Sequence, residues 1–305
     1  MIDLSVTVGS LTLNNPVLTA SGTFGYAREF EDFIDLDKLG AVITKTVTPD
    51  SRPGNPPRRI VEFSNGMLNS IGLPNDGIER FIRDKMPYLQ HLKIPVIVNV
   101  AGKTEDGFVR AVERLDDVPG IAAYELNYSC HNVKEGGISF SSDPAVAKRL
   151  TRNVVQKTHR PVIAKLTPNV THIHKIGLAV QDGGADAISA VNTFLGMSVN
   201  VRTRKPKLCR VVGGYSGPAI KPMALAKVYE LVKHVEIPVI AIGGIRNAED
   251  ALEFLITGAR AVQIGTANFA QPDITIKVIN GLEEYCRSNQ IHAIRDIIGS
   301  LEINV

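Results

Sequence analysis

Short runs of β-branched and other apolar residues recur along the chain, and stretches with helical periodicity separate them. The runs of strand length are residues 16–21, 41–45, 95–99, 121–127, 161–165, 187–192, 238–243 and 261–265. Segments such as 222–235 and 248–257 have the pattern of helices. Continuous apolar strands that alternate with helices are typical of a parallel α/β protein. Because eight strands close a (β/α)8 barrel, the pattern predicts this α/β fold, a TIM barrel.

A polar residue or a glycine ends each of the eight runs. These terminal residues are Ser21, Lys45, Asn99, Asn127, Lys165, Asn192, Gly243 with Gly244, and Gly265 with Thr266. In a (β/α)8 barrel the carboxyl ends of the strands form the face that carries the active site. The regularity therefore predicts a catalytic barrel whose site is built from these residues.

A doubly wound open sheet is the alternative architecture for alternating strands and helices. Such a sheet carries a GxGxxG nucleotide fingerprint at its first strand-to-helix turn. The first turn here reads Ser-Gly-Thr-Phe-Gly-Tyr over residues 21–26, which lacks that spacing. The barrel is therefore the favoured architecture.

Two insertions interrupt the alternation, at residues 48–72 and 194–217. Each contains alternating apolar and polar positions, which predict small hairpins above the mouth of the barrel. Residues 4–13 also alternate and predict an amino-terminal hairpin at the bottom. Long excursions on the catalytic face are commonly lids or substrate loops.

Composition and charge restrict the class of protein. The chain has 305 residues, of which 44% are hydrophobic and 21% charged, so we expect residues 1–305 to form a single barrel domain. The net charge of +3, with no block of like charges, gives no indication of nucleic-acid binding. No signal peptide and no apolar run of membrane-spanning length is recognisable, so no membrane association is expected. The chain has three cysteines, Cys130, Cys209 and Cys286, and none are in CxxC spacing. An odd number of this kind fits a protein of the reducing cytoplasm better than a disulfide framework.

Glycine-containing segments follow the last two strands, at residues 242–246 and 264–268. Barrels that bind a phosphate group commonly hold it at this place, on glycine N–H groups at the start of a short helix. Thr266 adds a hydroxyl group there. These segments predict a cofactor or substrate that carries phosphate.

The remaining polar residues at strand ends suit an anionic, planar ligand. Lys45 and Lys165 each follow an apolar run, so both are expected in the mouth as charge partners of an anion. A set of amides is expected around them, namely Asn69, Asn99, Asn127, Asn132 and Asn192. Amides both donate and accept, as the imide and ureide edges of pyrimidines and flavins require. No metal site is predicted, because no His/Asp/Glu cluster lies at the strand ends and His172 and His174 are read as surface residues.

The segment Glu-Leu-Asn-Tyr-Ser-Cys-His-Asn, residues 125–132, is the most informative stretch. It places Cys130 between two asparagines just after a buried strand. A thiol in this position can accept a proton while the amides hold a polar substrate beside it. The alternative is a turn in which Cys130 is a small buried filler.

Six segments together resemble the class 1 dihydroorotate dehydrogenases, soluble flavin enzymes of pyrimidine synthesis. They are residues 20–22, 45–46, 65–73, 127–137, 216–222 and 265–269, and the likeness extends over nearly the whole chain. The resemblance implies a barrel that binds FMN and oxidises (S)-dihydroorotate to orotate in de novo UMP biosynthesis. Class 2 enzymes use a serine base and carry an amino-terminal helical extension, whereas this sequence has Cys130.

The resemblance also implies residue roles. Cys130 corresponds to the base that takes the C5 proton while hydride leaves C6 for the flavin, and Lys45 stabilises the reduced flavin and the anionic substrate. The implied substrate-binding residues are Lys45, Asn69, Ile71, Gly72, Leu73, Asn127, Asn132, Asn192 and Thr193. The implied flavin contacts are Ser21, Lys45, Thr46, Asn99, Asn127, Lys165, Val191, Gly217, Gly243, Gly244, Gly265 and Thr266.

Two of the segments, 216–222 and 265–269, look like subfamily 1B rather than the fumarate-using 1A. Subfamily 1B passes electrons to NAD through a separate subunit that holds FAD and an iron–sulfur cluster. The resemblance thus implies a homodimeric core joined by that subunit into a heterotetramer. The cysteine count agrees, because a cluster normally takes four thiolates and this chain has three scattered cysteines.

One position departs from the family pattern. The family usually reads Ser-Cys-Pro-Asn, whereas this chain reads Ser-Cys-His-Asn over residues 129–132. Loss of proline frees the backbone of the loop. A charged His131 that points inward would lower the pKa of Cys130, and one that points to solvent would only loosen the loop.

Three other functions fit parts of the sequence. A dihydropyrimidine dehydrogenase-type flavoenzyme would act on uracil or thymine, but Lys45 and the insertion residues Arg52, Arg58 and Arg59 favour an anionic substrate. A dihydrouridine synthase is expected to have a basic surface and a helical domain for which the tail after Phe269 is too short. A non-catalytic flavin-binding scaffold would have no need of an aligned Cys130 and Lys45.

Overall fold

The computed structural model describes residues 2–128, 140 and 142–303. Its strands, numbered in chain order, are β1 (Val6–Val8), β2 (Leu11–Leu13), β3 (Val17–Thr19), β4 (Val42–Ile43), β5 (Ile60–Phe63), β6 (Gly66–Asn69), β7 (Val96–Val100), β8 (Ala123–Asn127), β9 (Val162–Leu166), β10 (Ala187–Ala190), β11 (Phe194–Met197), β12 (Val199–Asn200), β13 (Lys205–Pro206), β14 (Val212–Ser216), β15 (Val239–Ile242) and β16 (Ala261–Ile264). The helices are α1 (Ile78–Asp84), α2 (Met86–Leu89), α3 (Glu105–Asp116), α4 (Pro144–Val155), α5 (Ile173–Asp182), α6 (Lys221–Val232), α7 (Ala248–Thr257), α8 (Ala267–Ala270) and α9 (Ile274–Ser288).

The eight predicted apolar runs form one parallel sheet in the order β3-β16-β15-β10-β9-β8-β7-β4. A parallel bridge between Leu18 and Ala41 joins the two end strands and closes the ring. Every residue of β7, β8 and β9 is buried, as expected for strands enclosed by the barrel interior on one side and helices on the other. The (β/α)8 barrel predicted from the sequence is confirmed.

Helices α3, α4 and α7 begin after residues whose side chains cap them. Thr104 accepts a hydrogen bond from the backbone N–H of Gly107 at 3.1 Å, and Asn247 accepts one from Asp250 at 2.8 Å. Such a cap contributes about 1 kcal/mol. The predicted helix at 248–257 is α7, and the one predicted at 222–235 is α6, which ends three residues earlier at Val232. In the described part of the chain, no helix is both long and apolar enough to span a lipid bilayer.

The two insertions combine into one antiparallel sheet, β11-β14-β6-β5, which we call the cap sheet. The predicted hairpins are confirmed as β5 with β6 and β12 with β13. The pairing of β14 with β6, which joins the insertions, was not predicted. The amino-terminal hairpin β1–β2 is also confirmed. It lies at the bottom of the barrel, because a Cβ on Gly9 would lie 3.1 Å from Asp186, just before the start of β10.

Candidate active site at the barrel mouth

The side chains that end β3 and β9 meet across the barrel. Nζ of Lys165 donates a hydrogen bond to Oγ of Ser21 at 3.1 Å, and Lys165 is only 4% exposed. These strands are not neighbours in the sheet, so the contact crosses the interior. Both residues were predicted at the mouth, and the structure brings them together.

A buried carboxylate that the sequence did not single out lies below this contact. Oε1 of Glu125 accepts hydrogen bonds from Nδ2 of Asn99 at 2.6 Å and from Nζ of Lys165 at 3.2 Å. Oε2 accepts from Oγ of Ser189 at 2.8 Å and from Nε2 of Gln263 at 2.7 Å. The sequence did contain one indication of this carboxylate, namely a charged residue inside an otherwise apolar strand. A charge that is buried in this way requires hydrogen-bond or charge partners. The lysine is thus balanced by a carboxylate.

Lys45, the second predicted lysine, is in a different electrostatic environment. Its backbone N–H donates to the carbonyl of Gly25 at 2.8 Å, which fixes the chain just after β4. The side chain is half-buried, and its ammonium has no hydrogen-bond or ion-pair partner among the residues that the structure describes. Because desolvating an unpaired charge is costly, this ammonium is suited to an anionic ligand. The neighbouring Thr46 is buried.

The predicted amides after β8 and β10 are also together. Nδ2 of Asn192 donates to Oδ1 of Asn127 at 3.3 Å, and Oδ1 of Asn192 accepts from the backbone N–H of Thr193 at 2.8 Å. Val191, which precedes them, is buried and donates its N–H to the carbonyl of Ile242. These contacts give the two amides defined orientations at the mouth.

The predicted substrate loop after β6 has a constrained backbone. Nδ2 of Asn69 donates to the carbonyl of Gly214 at 3.1 Å, within the cap sheet. Gly72 has φ of 80°, and a Cβ there would lie 2.6 Å from the backbone N of Asn55, so glycine is required. Leu73 also has positive φ, 54°, which is uncommon for a residue with a side chain. Residues 72 and 73 therefore form a turn in the left-handed region of backbone space, packed against Asn55.

The glycines at the ends of the last two barrel strands differ in what surrounds them. Gly243 and Gly244 have φ of 138° and 75°, and a Cβ on Gly244 would lie 2.8 Å from the backbone N of Lys221. A Cβ on Gly265 would meet nothing closer than 3.7 Å, where Cβ of Ala20 lies. Thr266 then precedes the short helix α8, as the sequence predicted. The open space beside Gly265 is a cradle that a phosphate group can approach closely.

Two buried acceptors in the barrel fit a heterocycle that carries an N–H group. Oδ1 of Asn99 and Oε1 of Gln263 have no hydrogen-bond partner within the described part of the chain. Their amide N–H groups face the Glu125 carboxylate, which fixes which end of each amide is the acceptor. Together with the Gly265 cradle and the two lysines, these residues fit a phosphorylated planar ring such as FMN. Gly217, another predicted contact, has φ of 111° and packs against Gly66 of the cap sheet.

The predicted base Cys130, the amide Asn132 and His131 lie outside the described residues. The residue that leads into this segment, Tyr128, is fully buried, and its hydroxyl lies 2.7 Å from Oγ1 of Thr151 on α4. Thr151 donates its own proton to the carbonyl of Ala147, so Tyr128 is the donor. Burial raises the pKa of Tyr128, which keeps this donor protonated. The strand end before Cys130 is thereby anchored to the helical layer.

Among the described residues, the one group of three potential metal ligands is His172, His174 and Glu230. It lies in the helical layer, with His172 preceding α5, rather than at the barrel strand ends. Nδ1 of His174 is 2.6 Å from Oε1 of Glu230, and the ammonium of Lys227 is 3.7 Å from Oε2. A lysine beside the carboxylate disfavours a bound cation. His172 is exposed and His174 half-buried.

Comparison with known proteins gives consistent matches over the full length. The family model described as dihydroorotate dehydrogenase matches residues 3–286. The chain is 47% identical over 300 residues to a protein of Pelobacter propionicus named dihydroorotate dehydrogenase B (NAD(+)), catalytic subunit, covering 98% of this chain and 99% of that one. A protein of the same name from Geotalea uraniireducens is 48% identical over 299 residues, 98% of each chain. Another from Thermoanaerobacter pseudethanolicus is 49% identical over 303 residues, covering 99% and 100%.

Proposed function

The chain belongs to the dihydroorotate dehydrogenase family, and from this premise we propose that it is the catalytic subunit of an NAD-linked enzyme of that family. The enzyme oxidises (S)-dihydroorotate to orotate in de novo pyrimidine synthesis. Residues 1–305 act as one flavin-binding barrel domain. The main support for this substrate is a difference between the two lysines at the mouth: one is paired with a carboxylate, and the other is not paired with any described residue.

Lys165 is paired with the buried carboxylate of Glu125, whereas Lys45 has no charge partner within the described residues. Among the described residues of the mouth, Lys45 therefore offers a positive charge that no carboxylate balances. Dihydroorotate carries a carboxylate that matches this charge, whereas dihydrouracil and dihydrothymine do not. This difference favours a dihydroorotate-oxidising enzyme over a dihydropyrimidine dehydrogenase-type enzyme.

FMN is the cofactor that we propose for the barrel mouth, and when bound it supplies the acceptor for the substrate's hydride. The open backbone at Gly265 and the Thr266 hydroxyl would hold the phosphate, and Gly243 and Gly244 follow the neighbouring strand β15. Lys165 and Asn99 offer a donor and an acceptor to the ring. The full proposed contact set is Ser21, Lys45, Thr46, Asn99, Asn127, Lys165, Val191, Gly217, Gly243, Gly244, Gly265 and Thr266.

The substrate is held by groups from three parts of the chain. Asn127 and Asn192 present amides from the barrel, Asn69 presents one from the cap sheet, and the backbone of residues 71–73 closes the site. Lys45 binds the substrate carboxylate. Cys130 removes the C5 proton as a general base, a role that rests on family resemblance, as does the assignment of Asn132 and Thr193 to the substrate.

We further propose that two copies form a core that binds an electron-transfer subunit with FAD and an iron–sulfur cluster. The cap sheet and its flanking hairpin expose the apolar side chains of Leu195, Met197, Val199 and Val212, which supports a surface covered in the assembly. The relatives are themselves named catalytic subunits, and the name includes NAD(+). Cys209 and Cys286 are free, which supports a cytoplasmic location.

The experiment that tests this function is the visible spectrum of the purified chain before and after anaerobic addition of dihydroorotate. We expect a flavin band at roughly 450 nm that bleaches on addition. Bleaching by dihydrouracil alone would instead assign the dihydropyrimidine dehydrogenase type. A band that no dihydropyrimidine bleaches would indicate a flavin-binding scaffold. Failure to bind FMN would refute the proposed cofactor.

A further inference from the structure

The interior of the barrel contains a polar layer whose centre is Glu125. Its side chain is fully buried, on β8, and its four partners come from β7, β9, β10 and β16. Half of the barrel strands therefore send a side chain to one carboxylate. Glu125 was not among the site residues predicted from the sequence.

All four contacts to Glu125 are of one chemical kind. Asn99, Lys165, Ser189 and Gln263 each donate, and each carboxylate oxygen receives two of the hydrogen bonds. An ionised carboxylate has about four lone-pair sites, which these donors fill. A protonated carboxyl group would place its own O–H against one of the donors. The arrangement therefore fits the ionised form, with Lys165 as its counter-charge.

The partners of Glu125 continue towards the mouth. Lys165 also donates to Ser21 just after β3, and Oδ1 of Asn99 is an acceptor without a hydrogen-bond partner among the described residues. Both residues belong to the proposed flavin contact set. Glu125 thus determines where the ammonium and the amide sit, and it cancels the charge of that ammonium.

We propose that Glu125 is a positioning residue of the flavin site that neutralises Lys165 and thereby lowers the reduction potential of the bound flavin. The inference rests on the proposed flavin function but not on the identity of the substrate. A reduced flavin ring carries negative charge at neutral pH, so an uncompensated ammonium beside it would stabilise the reduced form. With Glu125 present the Lys165–Glu125 pair is neutral, and the positive charge that the described residues offer to the flavin is that of Lys45.

The test is the midpoint potential of the Glu125→Gln holoenzyme, measured by equilibration with redox dyes and a chemical reductant. Glutamine keeps the shape of the side chain and removes its charge. We expect the variant to favour reduced over oxidised flavin at least tenfold more than the parent, which for a two-electron couple is about 30 mV towards positive potential. The matched control is Ser189→Ala, which removes one hydrogen bond from Glu125 and no charge, and should lower thermal stability without moving the potential.

An unchanged potential in a folded, flavin-loaded Glu125→Gln protein would overturn the proposal, whatever its loss of stability. If that variant does not accumulate in folded form, the coupling can be read in the flavin-free protein. Lys165→Met leaves a buried unpaired carboxylate and should unfold at lower temperature than the double variant Glu125→Gln/Lys165→Met. A double variant that unfolds at the same temperature as Lys165→Met, or at a lower one, would refute the pairing.

The outcome separates this inference from the proposed function. Dye equilibration does not use dihydroorotate, so a raised potential supports the role of Glu125 even if dihydroorotate fails to bleach the flavin. Bleaching by dihydroorotate with no change of potential would leave the function in place and refute the role of Glu125. A parent chain that takes up no FMN would refute both.

Discussion

Asn192 donates its side-chain amide to Oδ1 of Asn127 over 3.3 Å, although 65 residues separate them along the chain. Oδ1 of Asn192 in turn accepts the backbone N–H of Thr193. The two contacts fix which end of each amide faces the other, so the mouth offers donors and acceptors in a set order. A planar ureide edge is recognised by such an order rather than by charge.

Replacing Asn192 with alanine removes one of these amides and its hydrogen bond to Asn127. We expect Asn192→Ala to keep its flavin and to raise KM for dihydroorotate roughly fivefold, since one neutral hydrogen bond contributes about 1 kcal/mol. Steady-state kinetics with a dye acceptor measure this change. Asn289→Ala is the control, because Asn289 follows α9 and its side chain donates to the carbonyl of Tyr285 at the end of the same helix. Equal KM values for the two variants would refute the assignment of Asn192.

The unpaired ammonium of Lys45 predicts a change in substrate preference. Lys45→Met should reduce kcat/KM for dihydroorotate by roughly tenfold to hundredfold, because a hydrogen bond to a charged group contributes about 1.5–3 kcal/mol. The loss for dihydrouracil, which has no carboxylate, should be smaller. Lys93→Met is a matched control, since Lys93 is exposed and precedes the bottom end of β7. An equal loss for both substrates would show that Lys45 does not bind the carboxylate.

Alanine substitution should have different effects at the glycines that follow the last two barrel strands: loss of FMN affinity at one and loss of stability at the other. Gly265→Ala places a methyl group in open space without a positive φ, so the flavin-free fold should be retained while FMN affinity falls at least tenfold. Gly244→Ala meets the backbone N of Lys221 at 2.8 Å and requires φ of 75°. Backbone strain of that kind costs about 1–3 kcal/mol. Gly244→Ala should therefore lower the unfolding temperature of the flavin-free protein. Thermal unfolding and fluorescence titration with FMN separate the two effects. Unchanged FMN affinity in Gly265→Ala would show that the phosphate does not bind at Gly265.

The position of the site could be predicted from the sequence because a parallel barrel brings all strand ends to one face. Lys165, Asn127 and Asn192 follow apolar runs directly, so their location needs only the strand pattern. The ion pair of Lys165 could not be found this way. Glu125 lies inside its run, and its contact with Gln263, 138 residues later, depends on the register and closure of the barrel.

The cap sheet, too, could be predicted only in part from the sequence. Alternating positions in each insertion predict a hairpin, and the hairpins are present. The pairing of Met67 with Ser216 joins segments far apart in the chain, and edge pairing of this kind has no local signal. Asn69 is placed by that pairing, because its amide binds the carbonyl of Gly214. The sequence motif is enough to show that Asn69 resembles a substrate-binding residue. The position of its amide, however, depends on a long-range contact that the motif does not contain.

The proposed base gives the last prediction, which rests on proton affinity. A thiol has an ordinary pKa of about 8.5, whereas a serine hydroxyl is a far weaker acid. Cys130→Ala should keep its flavin yet be reduced by dihydroorotate orders of magnitude more slowly at neutral pH. Cys130→Ser should regain part of that rate only as the pH rises, because the hydroxyl must be deprotonated to accept the C5 proton. Stopped-flow bleaching of the flavin across pH measures both.

The chain offers a control at Cys209, which is exposed on the segment before β14. Cys209→Ser changes the same atom at a position outside the proposed site, so its rate and pH profile should match those of the parent. If Cys130→Ala bleaches as fast as the parent, Cys130 is not the base. If Cys130→Ser is slow but has the parent's pH profile, the cysteine positions the substrate and another group takes the proton. Only a profile displaced to higher pH identifies the side chain at position 130 as the proton acceptor, because its own ionisation then sets the rate.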